Sequence, residues 1–399
     1  MCSVKCHTAT AGEPPEPIVD AAGLFDLDPT VAHLNHGSYG TVPREVAAAQ
    51  QALRREQEAD PDGFFLTAPA RVAEARRAVA GLFGADPAGL ALLTNVTEAA
   101  AVALDSIPFE PGDEILVTDH GYGVVNLAAE RRAAECGATV RVAAVPLDAA
   151  DPAEAVLAAV TDRTRAAVLD RITSPTAREI ATPALLRALA DRGVTTLVDA
   201  AHAPGMLPVD LAVEPADFWF GNLHKWAFAP RPTAVLAVSA AWRERVRPLT
   251  YSWEHGGGFP GNVEWRGTAD YTGWLAAPAA LALLERLGPE RVREHNARLA
   301  EYGRRLLVEH AGLGELPTTA GVSMAAVRLP AGVAETEEQV RPLMAEVLAK
   351  LGTRVAVRPW PGGGVLRISA QVYNRPAEYR RLAEGLGALL TPPGWPRSA

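Results

Sequence analysis

Short apolar runs that alternate with amphipathic stretches predict an α/β fold, with a mostly parallel sheet covered by helices on both faces. The alternation is nearly unbroken from Leu90 to Val238, and after Pro278 it gives way to long helical periodicity followed by short strands. Polar and charged residues also gather where the apolar runs end. Open parallel sheets bind their ligands at those carboxyl ends.

The first strand expected is Leu90 to Thr94, followed by a helix from Thr97 and a strand from Glu114 to Asp119. A helix around Val125 to Glu135 leads into Thr139 to Val145, and another helix begins near Pro152. The series continues through Ala166 to Ile172, Ala184 to Asp191, Thr195 to Asp199, Phe218 to Phe220 and Ala234 to Val238. Beyond Pro278 the helical period runs to His310. Strands follow at Met324 to Leu329, Arg354 to Pro359 and Val365 to Ser369, with helices at Glu337 to Leu351 and Ala377 to Leu390. The expected organisation is a tail over 1–30, a large domain over 31–277 and a smaller C-terminal α/β domain over 278–399. Gly256-Gly257-Gly258 and Gly362-Gly363-Gly364 mark loops.

The 399 residues suffice for two domains, and 48% hydrophobic with 21% charged residues is ordinary for a globular chain. A net charge of −9 and a pI near 5.6 leave no electrostatic footprint for nucleic acid or anionic lipid. No apolar run approaches the roughly 20 residues that span a bilayer. Met1 to Asp20 is polar and proline-rich, without an apolar signal core, so a cytoplasmic protein with a disordered tail is expected. Cys2, Cys6 and Cys136 form neither a disulfide framework nor a zinc site.

Chemistry concentrates between Thr195 and Trp226. The run Thr196-Leu197-Val198 delivers Asp199 into Asp199-Ala200-Ala201-His202, and Phe218-Trp219-Phe220 precedes Asn222-Leu223-His224-Lys225-Trp226. A strand-end carboxylate can pair with a protonated pyridine nitrogen. A lysine in a desolvated site can form a Schiff base with an aldehyde. Spaced 26 residues apart, Asp199 and Lys225 describe a pyridoxal phosphate (PLP) pocket for an amino-acid substrate. Thr94 to Ala100 reads as a strand end, a polar turn and a helix start, which suits a phosphate, although a plain helix cap uses the same residues. Arg367, in Leu366-Arg367-Ile368-Ser369, is a charge in an apolar strand that a substrate α-carboxylate would satisfy.

On these motifs the chain resembles the fold-type I PLP enzymes of the class V aminotransferase superfamily, from about His33 to Tyr373. Gly205 through Trp226 is most similar to the isopenicillin N epimerase-like branch, which includes C–S lyases similar to those of lincosamide and ergothioneine biosynthesis. The resemblance implies that Lys225 holds the cofactor, Asp199 its ring nitrogen, and His202 lies beside its ring or hydroxyl. It assigns the phosphate to Asn95, the Val96 backbone, Thr97, Asn222 and His224. Gly267 and Thr268 would reach that phosphate from the neighbouring subunit, making a homodimer with a shared active site. Tyr122, with His120 as second candidate, would stack on the ring, and Ser174 and Thr176 would bond its phenolic oxygen. Arg367 would clamp the α-carboxylate beneath a loop of Asn35, His36, Gly37 and Ser38. Many members have Ser-His where Asp170-Arg171 stand here.

Among the reactions open to such a site, β-elimination from an S-substituted cysteine needs one base, Lys225 itself. Phe64, Phe65, Trp253, Trp265 and Trp360 are aromatic candidates for a bulky substituent. The alternative, amino-acid epimerisation, requires a second base, for which Tyr122, His36 and His255 are available. Oxidative deamination coupled to decarboxylation, transamination, and a catalytically inactive binding module are the remaining readings. A cysteine desulfurase is set aside, because no cysteine follows Cys136.

Overall fold

Seven strands line up in the order β2-β8-β7-β6-β5-β3-β4 in the computed structural model, which describes residues 13–18 and 21–390. In chain order the strands are β1 (Ala32–His33), β2 (Leu90–Leu93), β3 (Glu114–Thr118), β4 (Thr139–Ala143), β5 (Thr164–Asp170) and β6 (Thr195–Asp199). They continue as β7 (Phe218–Asn222), β8 (Ala234–Val238), β9 (Met324–Arg328), β10 (Thr353–Arg354), β11 (Ala356–Arg358) and β12 (Val365–Ser369). Every residue of β2, β3, β6 and β7 is buried, as in a sheet covered on both faces.

Strands β3 to β7 pair in parallel, whereas β8 runs antiparallel to both β7 and β2. The reason is length. Only one turn of helix, Leu223–Trp226, and a short loop join β7 to β8, which is too little for a crossover. That short return holds Lys225 at the carboxyl edge of the sheet, beside the ends of β2, β3, β5 and β6.

Two buried apolar clusters flank the sheet, and a third lies beneath the antiparallel sheet β11-β12-β9. The helical period expected to run through His310 divides into Ala277–Leu287 and Pro289–Glu309, because Gly288 takes φ +81° and Pro289 starts the second helix. The run expected as one strand over Arg354 to Pro359 also divides. Thr353 and Arg354 pair in parallel with Ala32 and His33, while Ala356–Arg358 pairs with β12. Ala32 and Leu34 accordingly pack with the C-terminal apolar cluster.

Ahead of the sheet, helices Arg44–Ala59 and Pro61–Leu82 meet at Asp60, whose carboxylate caps the second through Gly63 N–H. The tail expected to be disordered is partly packed. Ile18, Ala21 and Phe25 join the large core, and His295 bonds the Glu16 carbonyl. Residues 1–12, with Cys2 and Cys6, lie outside the described residues. Among the described residues no helix is long and apolar enough to cross a membrane, and no group of three or more His, Cys, Asp or Glu is placed to hold a metal.

Candidate active site

Strand ends from across the sheet converge on a cavity of about 280 Å3. Strand β6 contributes Asp199 and His202, the β7 return contributes Asn222, His224 and Lys225, β5 contributes Asp170 and Ser174, and Tyr122 follows β3. Asn95, Val96 and Thr97 enter from the end of β2, with Ser38 from the N-terminal loop.

Lys225 and Asp199 are both buried. Desolvation brings the Lys225 amine down to about 7, against the pull of Asp199, and pushes the Asp199 carboxyl up to about 6. Hydrogen bonding argues for the same neutral amine. Trp226 Nε1–H donates to His202 Nδ1 at 3.4 Å, so the proton of a neutral imidazole sits on Nε2, 3.3 Å from Lys225 Nζ. An ammonium would need a second lone pair on that ring. Burial, with the Lys225 and Arg367 charges, keeps His202 well below the ordinary histidine range.

Asp199 Oδ1 accepts from Ala201 N–H at 2.9 Å, while Oδ2 is buried without a partner among the described residues. An unpaired buried carboxylate oxygen is costly, and a protonated ring nitrogen would satisfy it. At the start of helix Val96–Ser106, where the sequence leads a phosphate to be expected, Thr97 N–H has no partner among the described residues, and the helix dipole favours an anion. These donors and acceptors fit PLP.

Several of the expected contact atoms already have partners within the chain. Val96 N–H is not available to a phosphate, since it donates to Asn222 Oδ1 at 3.1 Å. Asn95 Oδ1 caps the helix through Glu98 N–H, so the plain-cap reading holds for that oxygen. His224 Nδ1 donates to the Thr233 carbonyl, and burial lowers the ring to about 4. Its Nε2 can donate to phosphate only if the anion brings in a proton.

Thr176 does not face the cavity. Its Oγ1 lies 2.7 Å from both His120 Nδ1 and Thr173 Oγ1. The other nitrogen of His120 reaches the Val145 carbonyl, and its ring meets Trp360 edge-on, so of the two stacking candidates Tyr122 is the one on the cavity wall. Gly267 and Thr268 are absent from the wall of this chain's own cavity, and Thr268 is exposed. His36 and Gly37 lie behind the wall. His36 Nε2 bonds the Lys225 carbonyl at 2.8 Å, its Nδ1 bonds Tyr373 Oη at 3.0 Å, and Gly37 N–H donates to Ser369 Oγ. Gly40, at φ +66°, closes this loop against the His224 carbonyl, where a Cβ would overlap.

Arg367 is buried just behind Ser38 and Ser174. Its Nη1 donates to the Ser174 carbonyl, and its Nη2 donates to Asn35 Oδ1 at 2.9 Å and Ser38 Oγ at 3.2 Å. Every acceptor is neutral, and Nε has no partner among the described residues. Burial and the nearby Arg358 lower its pKa to about 9. The guanidinium is therefore oriented but uncompensated, and Asn35 serves as a positioning residue.

Sequence reasoning missed three polar wall residues. Tyr39 directly follows the Asn35 to Ser38 loop, Asp170 was noted without a role, and Arg231, which bonds the Tyr39 and Gly40 carbonyls, carried no signal. Asp170 sits opposite Asp199 in the β5–β6 register. Burial and that neighbouring charge push its carboxyl well above the usual range. Arg171 turns away to pair with Glu179 and Glu214.

Residues 45–382 match the family described as Aminotransferase class-V. The chain is 36% identical to isopenicillin N epimerase of Streptomyces clavuligerus, over 93% of this chain and 98% of that protein. It is 32% identical to putative L-cysteine desulfhydrase 1 of Oryza sativa subsp. japonica, over 90% and 83%. A solved complex between the cystine C–S lyase C-DES and its product cysteine persulfide shares the fold. Its TM-score is 0.78 at 22% identity, covering 90% of this chain and 97% of that one.

Proposed function

From a chain that belongs to the class-V aminotransferase family, we propose a PLP-dependent lyase that cleaves the Cβ–S bond of an S-substituted cysteine. Pyridoxal phosphate is the cofactor. When bound, it supplies an aldehyde for the substrate amine and an electron-withdrawing ring beside Cα. The observation that carries the reading is the buried Lys225 amine, lowered to about 7 on the cavity wall, while His36 and His255 lie off that wall and burial raises the Tyr122 phenol.

Arg367 takes the α-carboxylate and so orients the Cα–H bond. The Lys225 amine accepts the Cα proton, and His202 holds that amine neutral beforehand. Asp199 Oδ2, buried without a partner among the described residues, would hold the cofactor at its ring nitrogen. Proton removal from Cα and loss of the sulfur substituent as thiol release, after hydrolysis, pyruvate and ammonia.

The identity to isopenicillin N epimerase favours a second reading, inversion at Cα. That requires a base opposite Lys225, and the geometry offers little. His36 has both ring nitrogens bonded and is lowered to about 4 by burial, while His255 is exposed and bonds Ser252. Tyr122 is on the wall, but burial raises its phenol, which makes it a poor base near neutrality. Incubating the PLP-loaded protein in deuterated water with S-substituted L-cysteines is expected to yield pyruvate, ammonia and thiol. Deuterium at an inverted Cα with no pyruvate would establish the epimerase instead.

The site is proposed to be shared in a homodimer, with Gly267 and Thr268 lining the partner's phosphate. What supports this is that Thr268 is exposed and missing from its own cavity. Sedimentation should give twice the 42.1 kDa chain mass. A fully active monomer would remove the shared site.

A further inference from the structure

A second cavity, of about 630 Å3, adjoins the first, and the two share Tyr122 and Ser174 as wall residues. Arg358, the last residue of β11, lines it together with Pro359 and Trp360. Of the aromatic residues expected to receive a bulky substituent, Trp360 alone lines this space. Phe65 and Trp265 pack on Tyr271, Phe64 packs on Phe65, and Trp253 is 94% exposed.

Strand register places Arg358 on the same side of the small sheet as Arg367. Ala356 lies opposite Arg367, and Arg358 opposite Val365, so the two arginines are diagonal neighbours on one face. Diagonal pairs in an antiparallel sheet lie about 7–8 Å apart. The positive charge of Arg358 is felt at both Arg367 and Tyr122. Among the described residues the exposed Arg358 side chain has no hydrogen-bond or ion-pair partner. Asp119, Glu130 and Glu337 line the same cavity, and none of them pairs with it. Asp119 instead accepts Val145 N–H.

We propose that Arg358 binds a second acidic group on the substrate, so that the preferred amino acid carries a carboxylate on its side-chain substituent. The proposal rests on the amino-acid reading of the inner site. Arg367 takes the α-carboxylate, the scissile bond lies over Lys225, and the substituent passes Tyr122 and Ser174 into the outer cavity. There Trp360 covers its apolar portion, and the Arg358 guanidinium meets its anion.

Calorimetry on the PLP-loaded protein would compare S-(2-carboxyethyl)-L-cysteine with its neutral isostere S-(2-carbamoylethyl)-L-cysteine, using non-eliminating Cβ analogues if turnover interferes. The acid is expected to bind about fivefold to tenfold more tightly, as one charge-assisted contact at an exposed arginine permits. In Arg358→Gln that preference should vanish while the amide binds as before, and Arg358→Lys should restore part of it. Equal binding of acid and amide by the wild type, a preference that survives in Arg358→Gln, or no binding of either ligand would overturn the proposal. Pyruvate measured in parallel tests the lyase reading separately, because preferential binding without pyruvate leaves the acidic subsite standing and removes elimination.

Discussion

Replacing Lys225 by alanine is expected to lower kcat for pyruvate release by about 10²–10⁴-fold, the usual contribution of a positioned proton-transfer group. Thermal unfolding of the cofactor-free protein should change little by comparison, because the amine has a single 3.3 Å contact, to His202, and no ion pair within 4.0 Å among the described residues. The pH dependence supplies a sharper check. Burial lowers Lys225 to about 7, so its neutral, reactive form grows as pH rises through that value rather than near the ordinary lysine range of about 10.4. Acetylation of the cofactor-free protein, read peptide by peptide, should modify Lys225 with a midpoint near 7. Lys350, exposed on helix Glu337–Leu351, is the internal reference. A Lys225 midpoint above 9 would contradict the neutral-amine geometry set by His202 and Trp226.

Arg367→Ala should cost about 10²–10³-fold in kcat/KM, the range for removing one partner of a buried, hydrogen-bonded charge pair. The loss should fall on recognition of the carboxylate. Wild-type protein should discriminate strongly between an S-substituted cysteine and the matching amine that lacks the carboxylate, and Arg367→Ala should not. Lysine should rescue little, since a point charge cannot reproduce the fork held by Ser174, Asn35 and Ser38. Stability offers a second discriminator. Arg367 has only neutral acceptors around it, so alanine removes an uncompensated buried charge, and urea unfolding should show no large destabilisation. A collapse of stability with unchanged carboxylate discrimination would make Arg367 structural.

These expectations start from residues whose role is written into their surroundings along the chain. Asp199 and Lys225 each follow a short apolar run and end up at the same sheet edge. A strand buried on both faces can be recognised from its own residues, and its end is where the next polar residue falls. The same reasoning located Arg367, because a guanidinium inside an apolar strand requires an acceptor wherever it lands.

Local sequence was silent on which atoms were already spent. Thr176 and His120 stood at plausible strand ends, yet they bond to each other, and Val96 N–H is taken by Asn222 from 126 residues away. Such choices depend on distances between segments far apart in the chain, and apolar periodicity carries no information about them. The direction of β8, the division of Thr353–Arg358 between two sheets, and the placement of Arg358 on the face of Arg367 belong to the same category. Sequence by itself determined the strands of the seven-stranded sheet and the pair Asp199 and Lys225 at their ends, since burial and period are local properties. Tertiary structure alone decided the protonation state of Lys225, the neutral cradle of Arg367 and the outer cavity, because each is set by groups that only packing brings within a few ångströms.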